Sequence, residues 1–311
     1  MAPLRIAVMG AGGVGGYFGA RLAAAGHDVV FIARGRHLAS MQTSGLRIES
    51  PVGDLHLAPT SAVAEPHEVG RADVIMFAVK MADTDTAAQA LKPLVAAGAA
   101  VFTFQNGVES ADRLAAVLGA DAVVPGVARI ASHISKPGVI TQTGTFARLE
   151  FGEASGQASA RTKAFLEACT ASGIDAISPD NITRNIWMKF ALLAPFSGLT
   201  SLIRSPIGPI RDDARASALL RKAVEEVVAV GTALGKGLSA ADVERTLKAI
   251  ASLPYEMTSS MAHDLAAGKP LEINGLSGAV VRLGSSCGVA APTHGFIADC
   301  LGVHAAGKQA S

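Results

Sequence analysis

The first chemistry legible in the chain lies in Gly10-Ala-Gly12-Gly-Val-Gly15, a G-x-G-x-x-G that follows a short apolar run at 4–9 and opens a helix-like stretch at 14–26. In that setting Gly10 permits a tight turn, Gly12 lets backbone approach a pyrophosphate, and Gly15 lets the helix lie on the strand with its first N–H groups facing the phosphates. A glycine-rich turn without a ligand has the same letters, but a second strand-like run at 28–34 follows at the distance a dinucleotide fold requires. That run ends in Arg34, with Arg36 two residues on, while Asp28 stands at its opposite end. A cation at this strand end suits the 2′-phosphate of NADP and an acid would suit the 2′-hydroxyl of NAD. The pattern therefore favours NADP over the plainer reading of two solvated arginines.

Further polar residues stand where chemistry is done. Lys80 follows the apolar run 74–79, and Gln105-Asn106-Gly107 follows the run 99–104. Both lie at the carboxyl ends of expected strands, the edge where open parallel sheets bind ligands. Position alone leaves ribose, nicotinamide, substrate or no ligand open for Lys80 and Asn106. Lys189 is the one cation in Ile186-Trp187-Met188-Lys189-Phe190-Ala191-Leu192-Leu193. Either it snorkels to the surface along its own stem, or burial lowers its pKa and makes it an acid or a local cation for a developing alkoxide. Ser259-Ser260-Met261 precedes Glu272, which alone reads as a surface carboxylate or a charge near a helix start.

Behind these residues, strand-like runs at 4–9, 28–34, 46–50, 55–59, 74–79 and 99–104 alternate with helical patterns near 82–96 and 109–118, which implies a parallel sheet wound on both faces. Residues 122–152 read as a meander of extended segments at the far side of that sheet. After residue 178 the patterns are helical, at 183–203, 213–235, 240–252, 258–267, 276–287 and 293–304. In the second, Leu219, Leu220, Ala223, Val224, Val227, Val228 and Gly231 share a face. Ser239 is the expected N-cap of the next, just after Gly237. The expected architecture is α/β, an N-terminal Rossmann-type doubly wound sheet over 1–178 and an all-helical domain over 179–311.

Composition narrows the classes. The chain has 311 residues, 50% hydrophobic and 17% charged, too apolar for disorder. A net charge of +1 without long single-sign runs leaves no footprint for nucleic acid or an anionic membrane. Cys169, Cys287 and Cys300 show neither a disulfide framework nor metal-ligand spacing, so no metal site is expected and a reducing compartment fits. Six glycines between Gly10 and Gly19 interrupt the signal-like start. The apolar stretch 190–203 is 14 residues long, short of the ~20 that cross a bilayer. A soluble, cytoplasmic protein is expected, its partners a small molecule and, for apolar helical faces that often pair, a second copy. The only low-complexity segment is an Ala/Gly/Lys/Ser tail after His304.

Taken in order, GAGGVG, Lys80, QNG at 105–107, W-x-K at 187–189, SSM at 259–261, Glu272, GAVVRLG and Pro292-Thr293 resemble the ketopantoate reductase (2-dehydropantoate 2-reductase) family over nearly the whole chain. The resemblance implies NADPH-dependent reduction of a 2-oxo acid in pantothenate biosynthesis, in a cleft between a Rossmann and a helical domain. It implies that Lys189 protonates or polarises the ketone oxygen, that Glu272 holds a substrate hydroxyl and helps set the state of the lysine, and that Ser260 lies near the substrate carboxylate. Lys80 and Asn106 match residues at the cofactor–substrate junction, and Arg34 matches the arginine that reads the 2′-phosphate.

Five positions depart from the family. Asparagines expected after the lysine are Leu193, Ser197 and Ile207, the one before SSM is Met257, and the one before GAVVRLG is Ser277. Losing hydrogen-bond partners relaxes or redirects the choice of substrate. The alternatives to ketopantoate are therefore a more apolar branched 2-oxo acid, or a protein that senses NADP without turnover.

Overall fold

A computed structural model describes residues 2–308; residue 1 and the end of the tail, 309–311, lie outside the described residues. The chain divides into two compact units, Met1–Gln105 with Ser110–Ile182, and Asn106–Glu109 with Thr183–Ser311. The sequence suggested a join near 178; the contacts change over at Ile182.

The first unit runs β1 (Arg5–Met9), α1 (Gly13–Ala24), β2 (Asp28–Ile32), α2 (Gly35–Ser44), β3 (Leu46–Glu49), β4 (Leu55–Leu57), β5 (Ala62–Val63), β6 (Val74–Phe77), α3 (Thr84–Ala96), β7 (Ala100–Thr103), α4 (Ser110–Leu118), β8 (Val123–Lys136), β9 (Val139–Phe151), α5 (Ala160–Ala171) and β10 (Asp175–Ile177). One ten-stranded, curled sheet has the order β4-β3-β9-β8-β7-β6-β1-β2-β5, with β10 beside β9. β1 lies parallel to β2 on one side and to β6 on the other, so the strand order reverses at β1. Ligands of open α/β sheets bind at such a reversal, outside the carboxyl ends of the strands.

The strands read as continuous apolar runs because both faces are covered. Ile6, Val8, Val29, Phe31, Val74, Met76 and Phe102 point into a core with α1 and α5. Their chain neighbours Ala7, Met9, Val30, Ile32, Ile75, Phe77 and Val101 point into a second core with α3 and α4. Period-two alternation thus feeds two cores from one sheet.

Three expectations need correction here. The meander is a single long hairpin, β8 of 14 residues against β9 of 13, with register shifts at Ile130/Ser132 and Ile134/Lys136. Two helices carry too few apolar residues to announce themselves: α2 buries only Met41, and α5 buries Thr162, Phe165, Ala168 and Cys169. The second strand ends at Ile32 rather than Arg34.

The second unit is helical: α6 (Ile182–Ile203), α7 (Ile207–Asp212), α8 (Ala214–Ala233), α9 (Ala241–Ala251), α10 (Ser260–Ala266), α11 (Ser277–Cys287) and α12 (Pro292–Gly302). α8 is its centre, packed on α7, α9, α11 and α12. It starts where the Asp213 carboxylate accepts the N–H groups of Arg215 (3.0 Å) and Ala216 (2.8 Å). It buries Leu220, Ala223, Val224, Val227, Val228 and Gly231, while Leu219 stays half-exposed. Ser239 does not cap α9: its N–H and hydroxyl instead donate to Asp242 Oδ2, at 2.8 and 3.1 Å. α6 passes through Pro195 without a break, so the apolar stretch 190–203 belongs to one helix of 22 residues, within one residue of the expected 183–203. By length and composition it is long enough to cross a membrane, and 61% of its most apolar window is buried inside the protein.

Candidate active site

The turn after β1 is built from what its glycines lack. At Gly10, φ is +100°, and a side chain there would sit 2.8 Å from Val79 N. A Cβ on Gly15 would lie 2.3 Å from Gly10 O, and one on Gly13 would lie 2.3 Å from Ser132 O. Gly12 is the exception, for nothing lies within 4 Å of its missing side chain. Its backbone, at the N-cap of α1 with φ −77° and ψ −163°, therefore faces open space beside the first helical N–H groups. Against Gly13, the first residue of α1, the Ser132 hydroxyl is buried and without a partner among the described residues. Open backbone beside a helix N-terminus suits an anionic group, so these residues fit a dinucleotide pyrophosphate.

The glycines separate two effects. Gly15→Ala is expected to lose about 1–3 kcal/mol to overpacking, read as a lower melting temperature. Gly12→Ala is expected to keep the wild-type melting temperature and to weaken dinucleotide binding in a fluorescence titration, because its methyl group takes the open space.

Arg34 is the exposed N-cap residue of α2, and Arg36 lies exposed in its first turn. Asp28, at the other end of β2, pairs with Arg5 at 2.5 Å. His37 follows on α2, its Nε2 2.9 Å from Ala11 O and its Nδ1 3.0 Å from Gly138 N.

Gln105, two residues past the end of β7, is buried. Its Nε2 donates to Val79 O (2.9 Å) and Thr84 Oγ1 (3.0 Å), and its Oε1 accepts from Ser110. The amide thereby ties the exits of β6 and β7 and fixes where the loop Asn106–Glu109 departs. Lys80 stands exposed at the start of the 3-10 turn Met81–Asp83.

In the second unit, residues far apart in sequence meet. Lys189 Nζ on α6 donates to Asn106 Oδ1 at 2.9 Å, and Asn106 Nδ2 faces Glu272 Oε2 at 3.4 Å. The amide can take only this orientation, oxygen toward the ammonium and NH₂ toward the carboxylate. All three are half-buried. Glu272 precedes the 3-10 turn Ile273–Gly275, and Arg282 Nη2 on α11 pairs with Glu109 Oε2 at 2.7 Å at the end of the Asn106 loop. An ammonium held by a neutral amide, with a carboxylate one group away, is equipped to donate to an oxygen that gains negative charge.

Ser260 is the exposed first residue of α10, whereas its neighbour Ser259 is buried, caps that helix and accepts from Thr200 at 2.9 Å. The departing positions are mostly withdrawn from solvent. Ile207 is 0% exposed, and its N–H donates to Met257 O at 3.0 Å. Ser197 Oγ is buried without a partner among the described residues. Ser277 Oγ is spent on His294 Nδ1 at 3.1 Å, because His294 Nε2 donates to Ala223 O at 3.0 Å and leaves Nδ1 as acceptor. Burial holds His294 below the usual histidine range and so neutral. Leu193 and Met257 are half-buried.

Sequence reasoning named Gln105 only as part of Gln105-Asn106-Gly107 and passed over His37 and the Arg184–Asp242 pair at the start of α6. Of the two passed over, only His37 had a local signal, its place in Arg34-Gly-Arg36-His37.

Comparison with known proteins fits both halves. Residues 6–156 match the family model "Ketopantoate reductase PanE/ApbA", and residues 181–305 match "Ketopantoate reductase PanE/ApbA C terminal". A 2-dehydropantoate 2-reductase of Mesorhizobium japonicum is 32% identical over 93% of this chain and 94% of its own. The PanE/ApbA family ketopantoate reductase of Ralstonia eutropha JMP134 superposes with a TM-score of 0.89 at 33% identity, covering 97% of this chain and 98% of that one. A D-mandelate dehydrogenase solved with NADH and anilino(oxo)acetate shares the fold at a TM-score of 0.89 and 22% identity, covering 97% and 98%. The chain belongs to the ketopantoate reductase family and is a nicotinamide-dependent oxidoreductase.

Proposed function

We propose that this enzyme reduces ketopantoate to pantoate with NADPH in the cytoplasm, the first unit holding the cofactor and the second the catalytic side chains. The observation that carries this reading is the hydrogen-bonded series Lys189, Asn106, Glu272. Bound nicotinamide supplies a hydride to the ketone carbon. Lys189 donates to the ketone oxygen as charge gathers there, which lowers the barrier where an ammonium is most effective. Asn106 aims the lysine, Glu272 takes a substrate hydroxyl, and Ser260 meets the carboxylate. Arg34 reads the 2′-phosphate, supported by its exposed place at the start of α2, and Lys80 lies near the cofactor's junction with substrate.

A second reading has its own support. Ser197 and Ser277, at positions where the family resemblance expects asparagines, have hydroxyls that are buried or already engaged, and Leu193, Ile207 and Met257 are apolar. That set favours a branched 2-oxo acid without a hydroxyl. Ketopantoate and 2-oxoisovalerate differ by one hydroxymethyl group, so initial rates with each, using NADPH and NADH, decide. Higher kcat/KM for ketopantoate with NADPH supports the first reading, and higher kcat/KM for 2-oxoisovalerate the second. NADPH binding with no turnover of either would overturn both in favour of a sensing role.

A further inference from the structure

We propose that His37 is a positioning residue of the dinucleotide site, holding the Ala11–Gly12 peptide so that the Gly12 N–H faces the pyrophosphate. The inference rests on the reading of the glycine turn as a cofactor site. A backbone carbonyl only accepts and a backbone N–H only donates, so the contacts to Ala11 O (2.9 Å) and Gly138 N (3.0 Å) fix one tautomer. Nε2 carries the proton and Nδ1 is bare. Burial pushes the imidazole below the usual histidine value, which keeps this neutral form.

The consequence follows from peptide geometry. The only cis bond among the described residues is Ala58–Pro59, so the Ala11–Gly12 peptide is trans and its C=O and N–H point in opposite directions. With the carbonyl drawn toward α2, the N–H of Gly12 faces the other way, on a residue with no neighbour within 4 Å of its missing side chain. The far anchor is firm as well: Gly138 O accepts Arg47 N at 2.9 Å, tying the β8–β9 turn to β3. One turn of α2 therefore carries both the arginines suited to the 2′-phosphate and the imidazole that orients a pyrophosphate donor.

Calorimetric titration of the full chain with NADP⁺ and with 2′-AMP tests this, since 2′-AMP has the 2′-phosphate and no pyrophosphate. His37→Phe is expected to weaken NADP⁺ by roughly tenfold to a hundredfold, the size of one hydrogen bond to a charged group, and to leave 2′-AMP unchanged. Glutamine offers a donor and an acceptor with the same separation, so His37→Gln is expected to regain most of the loss. Arg34→Ala is expected to weaken both ligands. Wild-type affinity for NADP⁺ in His37→Phe, or equal losses of NADP⁺ and 2′-AMP, would overturn the proposal while the cofactor reading stands. A wild-type chain that binds no NADP⁺ would overturn that reading. Should the phenylalanine variant fail to fold, His37→Asn, too short to reach both backbone groups, replaces it under the same criteria.

Discussion

Replacing Lys189 with alanine is expected to lower kcat by about 10²- to 10⁴-fold, the usual contribution of a positioned proton donor, with NADPH binding unchanged. The two readouts separate because the glycine turn belongs to the first unit and Lys189 to the second. Lys189→Arg is expected to stay slow, since a planar guanidinium that does not give up its proton cannot replace a compact ammonium. Asn106→Ala is expected to fall between wild type and Lys189→Ala, because Nζ loses the 2.9 Å contact that aims it yet keeps its proton. Steady-state kinetics and a fluorescence titration of NADPH measure both quantities. A Lys189→Ala variant with wild-type kcat would end the assignment of the lysine.

How much of this was legible depended on how locally each feature is encoded. Ile6 and Val8 alternate with Ala7 and Met9 in five residues, and Gly10, Gly12 and Gly15 follow at once, so the dinucleotide half announces itself. Helices α2 and α5 did not, because Met41 alone, or Phe165 with Ala168 and Cys169, is too thin an apolar face to stand out from a loop. Gly144, with φ +73° inside β9, reads in sequence as a turn between two strands. The meeting of Asn106 with Lys189 and Glu272 spans 83 and 166 residues, beyond any periodicity. There the family resemblance named the residues, and the fold supplied their distances. The state of Ser277 was beyond reach for the same reason, since its hydroxyl is committed to a histidine on another helix.

Asp242→Asn is expected to cost about 3 kcal/mol at pH 7, the lower end for breaking a buried ion pair, because Arg184 keeps 29% exposure and some of its hydration. Asp242 itself is 0% exposed. Its Oδ1 accepts from Arg184 Nη2 (2.7 Å) and Arg245 Nη1 (3.0 Å), while Oδ2 accepts from Arg184 Nη1 (3.0 Å) and from Ser239. The Arg184 fork, more than the Ser239 and Arg245 bonds, holds the carboxyl far below the usual carboxylate range. Arg184 lies in the first turn of the helix that presents Lys189, so the pair fastens the start of that helix to α9. A depressed folded pKa stabilises the fold at every pH above the unfolded value, near 3.9, and that contribution disappears as pH falls toward the folded value. Below about pH 4 the unfolded chain takes up a proton that the native carboxylate refuses, at up to about 1.4 kcal/mol per pH unit for this one group. Urea midpoints at pH 7 and pH 3 are the measurement. The wild-type advantage over Asp242→Asn is expected to shrink by about 1 kcal/mol between them; a gap that stays constant with pH would show that the carboxylate is held by packing rather than by its charge.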